Sequence, residues 1–165
     1  MEKAHIIGSQ VFRDKRGTFS PLDLTKLDKN WVQSNISVNP SKFTLRGLHF
    51  QRNEHSQAKL IKVISGKILD FVIDMRNFSD DYNKIFFFEM NEGDELYVPR
   101  YFAHGFITMK ENTVVQYLVD NDYSPHSEGV RVWSSYPEIE NRIKEIDPSY
   151  TKELLVIADK DLIEK

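Results

Sequence analysis

Two histidines in this chain stand in strand-like segments beside other groups that can do chemistry. The first segment reads Gly47-Leu48-His49-Phe50-Gln51 and is followed by Lys59 and Gly66; the second runs from Gly93 through Pro99 and Tyr101 to His104. Imidazole titrates nearest neutrality, so His49 is the best candidate for a general base. If the fold brings Lys59 beside the two imidazoles, its ammonium would repel a divalent cation. It would instead suit an anion formed on an organic substrate. That points away from metal chemistry and towards removal of a proton next to a carbonyl. Taken alone, each group has a plainer reading. His49 fits a hydrogen-bonded core histidine, Tyr117 in Val114-Val115-Gln116-Tyr117-Leu118 a packed core tyrosine, and Lys59 a surface lysine near Lys62 and Lys67.

The elements that must position these groups read as strands. Segments 11–12, 31–38, 60–64, 67–74, 84–90, 95–98, 105–109 and 113–119 are rich in β-branched and aromatic residues, with Gly, Asn, Asp, Ser and Pro between them. Many short strands at close spacing predict an all-β sandwich or barrel. Val63-Ile64-Ser65-Gly66-Lys67-Ile68 and Phe88-Glu89-Met90-Asn91-Glu92-Gly93-Asp94 carry hairpin signals, and 77–82 reads as a loop. The tail differs: a turn at 147–150, a short helix within 134–146, and a last helical turn after Asp159-Lys160-Asp161. With no repeat, linker or low-complexity tract, residues 1–165 read as one domain.

Bulk properties exclude several classes. A net charge of -3 gives no global basic field for nucleic acid. The absence of cysteine removes a disulfide framework and a thiol nucleophile. No stretch approaches the roughly 20 apolar residues of a membrane helix. The charged first residues are unlike a signal peptide.

The spacing of the two histidine segments resembles the paired cupin motifs, in which two His, a Glu and a second-motif His normally hold a metal. Here Gln51 stands at the second ligand position and Lys59 at the Glu position. More specifically, Thr44-Leu45-Arg46-Gly47-Leu48-His49-Phe50-Gln51 and Pro99-Arg100-Tyr101-Phe102-Ala103-His104-Gly105-Phe106 resemble the signature of the dTDP-4-dehydrorhamnose 3,5-epimerase family. Asp14-Lys15-Arg16-Gly17-Thr18-Phe19 resembles its D-x-R-G-x-F element. Gln33, Asn35, the Asp70-x3-Asp74-x-Arg76 strand, Asp122-Tyr123-Ser124-Pro125, Gly129-Val130-Arg131 and Lys160-Asp161 follow in order. The resemblance covers nearly the whole chain. It implies a cupin jelly roll with short C-terminal helical segments, a homodimer, and no metal or organic cofactor. Two departures stand out: Pro21 where the family usually has Glu near the nucleotide base, and Val132-Trp133-Ser134-Ser135-Tyr136 where the family shapes the sugar pocket.

The resemblance also implies roles. A 4-keto sugar has acidic C–H bonds on both carbons flanking the ketone, and inversion needs a base, an acid on the opposite face and a cation or donors at the enolate oxygen. His49 matches the base, Asp161 its carboxylate partner, Tyr117 the proton donor and Lys59 the enolate cation. Arg46, Gln33, Asn35 and Lys160 match diphosphate contacts. Phe19 matches an aromatic near the nucleotide, contributed from this chain or across a dimer interface. Arg16, Gln51 and His104 complete the expected substrate contacts, His104 either touching substrate or supporting His49. One conflict is visible. In a regular strand Arg46 and His49 point to opposite faces, so joint use of the two calls for a bulge or a shared-cavity geometry. Asp70 and Asp74 share a face and read as structural salt-bridge partners of Arg76 and nearby basic residues.

The expected activity is therefore epimerisation of a nucleotide-linked 4-keto-6-deoxy sugar, at C-3, C-5 or both, with dTDP, GDP or CDP as carrier. The setting is cytoplasmic deoxysugar synthesis for surface glycans. The competing readings are a metal-dependent cupin isomerase or oxygenase and a non-catalytic sugar-nucleotide-binding cupin.

Overall fold

Strands buried on both faces lie at the centre of the molecule, and a partly exposed strand forms an edge. The computed structural model describes residues 2–165. In chain order its strands are β1 (His5–Ser9), β2 (Phe12–Asp14), β3 (Gly17–Phe19), β4 (Gln33–Asn39), β5 (Leu45–Gln51), β6 (Lys59–Ser65), β7 (Lys67–Asp74), β8 (Ile85–Asn91), β9 (Asp94–Val98), β10 (Phe102–Thr108), β11 (Thr113–Val119) and β12 (Glu128–Val130). One sheet has the order β1-β9-β6-β11-β4 and the other β12-β5-β10-β7-β8, while β2 and β3 form a separate two-stranded ribbon. The pairings between these strands are antiparallel. From β4 to β12 the chain switches sheet at each connection except β7 to β8. This is the wrapping of a jelly roll.

That wrapping corrects both hairpin expectations. The turn at Ser65-Gly66-Lys67 joins β6 of one sheet to β7 of the other, and the turn between Asn91 and Asp94 joins β8 to β9 across the same divide. Each turn has the residues of a tight reversal but serves as a corner. Gly66 lies at φ +90°, and an added Cβ would stand 2.3 Å from Thr113 Oγ1, so the corner is closed to larger residues.

Strand β7 is buried on both faces. Ile68 and Val72 join Ile61, Val63, Leu96, Val98, Phe102, Phe106 and Val115 between the two sheets. Leu69, Phe71 and Ile73 face the other way. They pack with Phe43, Trp133 and Tyr150 and with Ile139 and Ile143 of the helix α1 (Pro137–Ile146). The two isoleucines fall four apart on one helix face. Pro137 sits in the first turn, where its missing N–H costs nothing. One side of the second sheet is thus sealed by α1, and the space between the sheets is left to hold a site.

Candidate active site

Sheet parity delivers the polar groups. In β6, Lys59 shares its face with the core residues Ile61 and Val63, so it points between the sheets; it is only 8% exposed. Lys62, on the opposite face, is buried in a 2.8 Å ion pair with Glu95, and Lys67 pairs with Glu89 near the surface. Three neighbouring lysines therefore have three different environments. In β11, Tyr117 shares the inward face of Val115 and packs against the same cluster. In β10, His104 lies on the inward face between Phe102 and Phe106.

The Arg46 conflict is resolved by a bulge. His104 pairs with His49 and Phe106 with Arg46, so β5 carries one more residue than β10 across this step. The extra residue lets Arg46 and His49 line the same cavity. The backbone approaches closely here: a Cβ on Gly47 would lie 2.6 Å from both Gly105 Cα and the His104 carbonyl oxygen. Arg46 Nε donates to Asn39 Oδ1 at 2.8 Å, which holds the guanidinium over the mouth.

These side chains surround a cavity of about 680 Å³, within the size range of small-molecule sites. Two His–carboxylate pairs border it, His49 with Asp161 on its lining and His104 with Asp70 buried behind it. His49 Nε2 stands 2.7 Å from Asp161 Oδ1, and Gly47 N–H donates to Asp161 Oδ2 at 3.2 Å. Burial alone would raise the Asp161 pKa. The His49 hydrogen bond and charge, with the Gly47 donor, outweigh it and hold the carboxyl below the ordinary range. An ionised Asp161 accepts from the His49 Nε2–H and leaves Nδ1 with the free lone pair. The second pair is His104 Nε2 to Asp70 Oδ2 at 2.8 Å. Here burial dominates and pushes the Asp70 carboxyl up, only partly offset by His104 and Lys59. Asp70 Oδ1 is buried without a hydrogen-bond partner. Asp74 alone makes the expected ion pair with Arg76, at 2.6 Å.

Lys59 makes one long contact, 3.4 Å from Nζ to the His49 carbonyl oxygen. Burial lowers its pKa from the ordinary lysine value near 10.5 to about 8, with Asp70 opposing the shift. It remains an ammonium at neutral pH. Burial raises the Tyr117 phenol, and the nearby Arg46 charge pulls the other way. The site thus holds a carboxylate-oriented imidazole, a neutral phenol from the other sheet, and a desolvated cation. The donor set does not fit a metal. Both histidine Nε2 atoms face carboxylates, Gln51 Oε1 already accepts from Ser124 N–H at 2.9 Å, and Lys59 lies in the same wall. Among the described residues no group of three His, Cys, Asp or Glu is placed to hold a metal ion.

Comparison with known proteins agrees with this geometry. The sequence profile described as dTDP-4-dehydrorhamnose 3,5-epimerase matches residues 1–163. The chain belongs to that epimerase family. The Salmonella typhimurium dTDP-4-dehydrorhamnose 3,5-epimerase is 36% identical over 140 residues, covering 78% of this chain and 75% of the relative. The crystal structure of the Elizabethkingia anophelis dTDP-4-dehydrorhamnose 3,5-epimerase superposes with a TM-score of 0.79 at 34% identity, covering 98% of this chain and 89% of that one. The Legionella pneumophila dTDP-6-deoxy-D-glucose-3,5-epimerase, solved in complex with dTDP-4-keto-L-rhamnose, gives a TM-score of 0.81 at 25% identity over 98% and 86% of the two chains.

Of the residues expected from the epimerase family, His49, Lys59, Tyr117, Asp161, Arg46, Gln33, Asn35, Gln51, His104 and Lys160 all line the one cavity. Gln33 Nε2 donates to Asn35 Oδ1 at 2.6 Å, pairing two alternate residues of β4 on the rim. Arg16 and Phe19 do not reach it. They sit on the β2–β3 ribbon, where Arg16 pairs with Asp14 at 2.6 Å and Phe19 is 69% exposed beside Phe12. Asp70 does not line the cavity; it is fully buried and pairs with His104 from behind. Asn39, Tyr123 and Glu128 also belong to the cavity or its support. Asp122-Tyr123-Ser124-Pro125 was a visible signal for Tyr123. Asn39 had none, because its link to Arg46 depends on the fold. No helix among the described residues is long and apolar enough to cross a membrane.

Proposed function

We propose that this chain is a cofactor-independent epimerase of a nucleotide-linked 4-keto-6-deoxy sugar, with the dTDP-linked sugar as its first candidate. The observation that carries this reading is the convergence of the His49–Asp161 pair, Tyr117 and Lys59 on one cavity from two different sheets. His49 removes the proton from a carbon beside the ketone, and the electron pair passes to the C-4 oxygen. Lys59 stabilises the enolate there. Tyr117 returns a proton to the opposite face, and exchange with solvent returns the proton from His49 to the tyrosinate. Asp161 stabilises the imidazolium that forms. Arg46, Gln33, Asn35 and Lys160 take the diphosphate at the mouth, Gln51 and His104 contact the sugar, and the carbons inverted are C-3, C-5 or both.

Residues 1–165 act as one epimerase-type domain, within a homodimer. The exposed pair Phe12 and Phe19 and the exposed Ile36 and Val38 on edge strand β4 support a second copy there. In that assembly Arg16 and Phe19 reach the partner's nucleotide. A nucleotide-sugar substrate supports a cytoplasmic setting.

The test is incubation with dTDP-4-keto-6-deoxyglucose, and with its GDP and CDP counterparts, in deuterated water. Proton NMR locates any deuterium. Incorporation at C-3 and C-5 supports a 3,5-epimerase, and at one carbon a single-centre enzyme. Binding without incorporation in any of the three defeats the catalytic reading in favour of a silent binder. Light scattering on the same sample measures the dimer.

A further inference from the structure

Asp161 does not belong to either sheet. It lies on the short 3-10 turn Asp159–Leu162, of which it is the only buried residue. Leu162 and Ile163 beside it are 49% and 61% exposed, so apolar burial after Asp161 does little to fix the turn. Leu155 and Ile157 before it pack partly buried against the core, and polar contacts hold it from both sides. Upstream, Val156 N–H donates to the Phe43 carbonyl oxygen at 3.0 Å, and its own carbonyl accepts from Leu45 N–H at 2.8 Å. Downstream, Lys165 exchanges two main-chain hydrogen bonds with Val130, at 3.1 and 3.2 Å. Between Asp161 and Lys165, the Glu164 carboxylate accepts from Arg131 Nη1 at 2.5 Å with one oxygen and from the Val132 N–H at 2.9 Å with the other.

Arg131 closes a ring. Its backbone exchanges both hydrogen bonds with Leu48, at 2.9 and 3.2 Å. Leu48 stands between Gly47, which donates to Asp161, and His49, which faces it. The path from His49 through Leu48, Arg131, Glu164 and Asp161 therefore returns to His49 with only Leu162 and Ile163 as free links. The geometry points to Glu164 as a positioning residue for the reaction. Its grip on Arg131 and Val132 keeps the strap in register, so that Asp161 stays on the His49 imidazole. This rests on the proposed role of His49 as base. Glu164 and Arg131 are partly exposed, so their pairing adds little to global stability. Its effect is local.

The two His–carboxylate pairs supply an internal control. An imidazole N–H bonded to a carboxylate gives a separate downfield proton signal. His49→Asn and His104→Asn assign the two signals. In Glu164→Gln the His49 signal broadens or disappears while the His104 signal persists, because His104 and Asp70 both lie on sheet strands. With substrate, kcat falls about tenfold, short of the 10²-fold that a full 1 Å misplacement can cost. KM stays within about twofold, as expected when ground-state binding is untouched. Arg131→Gln behaves the same way, and Arg131→Lys, which keeps the charge, retains the His49 signal. The proposal is overturned if both signals and kcat are unchanged in Glu164→Gln, or if both signals vanish together, which would report general loosening. A parent chain that turns over none of the keto sugars defeats the epimerase reading separately, because the NMR comparison needs no turnover.

Discussion

The two His–carboxylate pairs sit on neighbouring strands, with His49 and His104 directly opposite each other, yet they are built to opposite ends. Asp161 comes from a strap outside the sheets, receives a second donor from Gly47 N–H, and is held below the ordinary carboxylate range. Asp70 comes from the doubly buried strand β7, has one oxygen with no partner, and is pushed above that range. The same two side-chain types thus give a pair suited to hold an imidazolium and a pair that resists accumulating charge. The difference lies in the backbone donors and depth of burial, not in the residues. This is how one fold separates groups of identical chemistry.

The comparison can be broken by substitution. The largest effect is expected at His49. His49→Ala should lower kcat about 10³-fold and stop deuterium incorporation, as loss of a general base does. Tyr117→Phe should cost about 10²-fold. Circular dichroism should show both variants folded; full activity in either removes its role. Next come the carboxylates. Asp161→Asn should cost about 10²-fold in kcat, and Asp70→Asn about tenfold. Asp70→Asn should also keep or raise Tm at pH 7, because it removes a carboxylate whose ionised form is poorly solvated. Equal losses from the two would erase the distinction.

Lys59 sharpens the same contrast through pH. Its folded pKa, about 8, lies below the unfolded value near 10.5. The ammonium needed at the enolate is lost as pH rises through 8, so kcat/KM should fall on that limb. Stability moves the other way. Between pH 8 and 10.5 the unfolded chain binds more protons at this site than the folded one, so the Lys59 contribution to stability rises across that window. Lys59→Met should abolish the limb along with most activity and stabilise the fold by about 2 kcal/mol. A Tm that drops in this variant argues against a desolvated lysine. The smallest effect is expected far from either pair. Arg142→Gln on α1, which loses surface contacts to Glu89 and Glu145, should change stability by less than about 0.5 kcal/mol and leave kcat alone.

Much of this was legible in the residues. The strand segments at 60–64, 67–74, 84–90, 95–98 and 113–119 lie within or nearly match β6, β7, β8, β9 and β11, because β-branched and aromatic composition is a local signal. The last helical turn, expected after Asp161, spans Asp159–Leu162 instead, while the helix within 134–146 was legible. The short strands β1, β3 and β12 were not, since three to five residues of mixed polarity carry little pattern. The hairpin signals at Gly66 and Gly93 identified turns but not their destination. Whether a reversal stays in one sheet or changes sheet depends on partners far along the chain. The β5 bulge is one of the two ways out of the Arg46–His49 conflict that the residues leave open, and its partner strand is not legible in them. Which basic residue Asp70 meets was not legible, because β7 and β10 set it diagonally across from His104 rather than beside Arg76.

The sheet-switching path has a further consequence for how the chain reaches its working form. Consecutive strands from β4 onward rarely pair with each other, and His49 and Asp161 are 112 residues apart in sequence. Contact order is therefore high, and closure entropy must be spent before most pairings form. A partly collapsed chain would own many native strands and still lack the imidazole–carboxylate contact, because the strap docks only on a finished β5 and β12. Recovery of activity during refolding should then lag behind recovery of far-ultraviolet signal, making turnover a readout of the last contact to form.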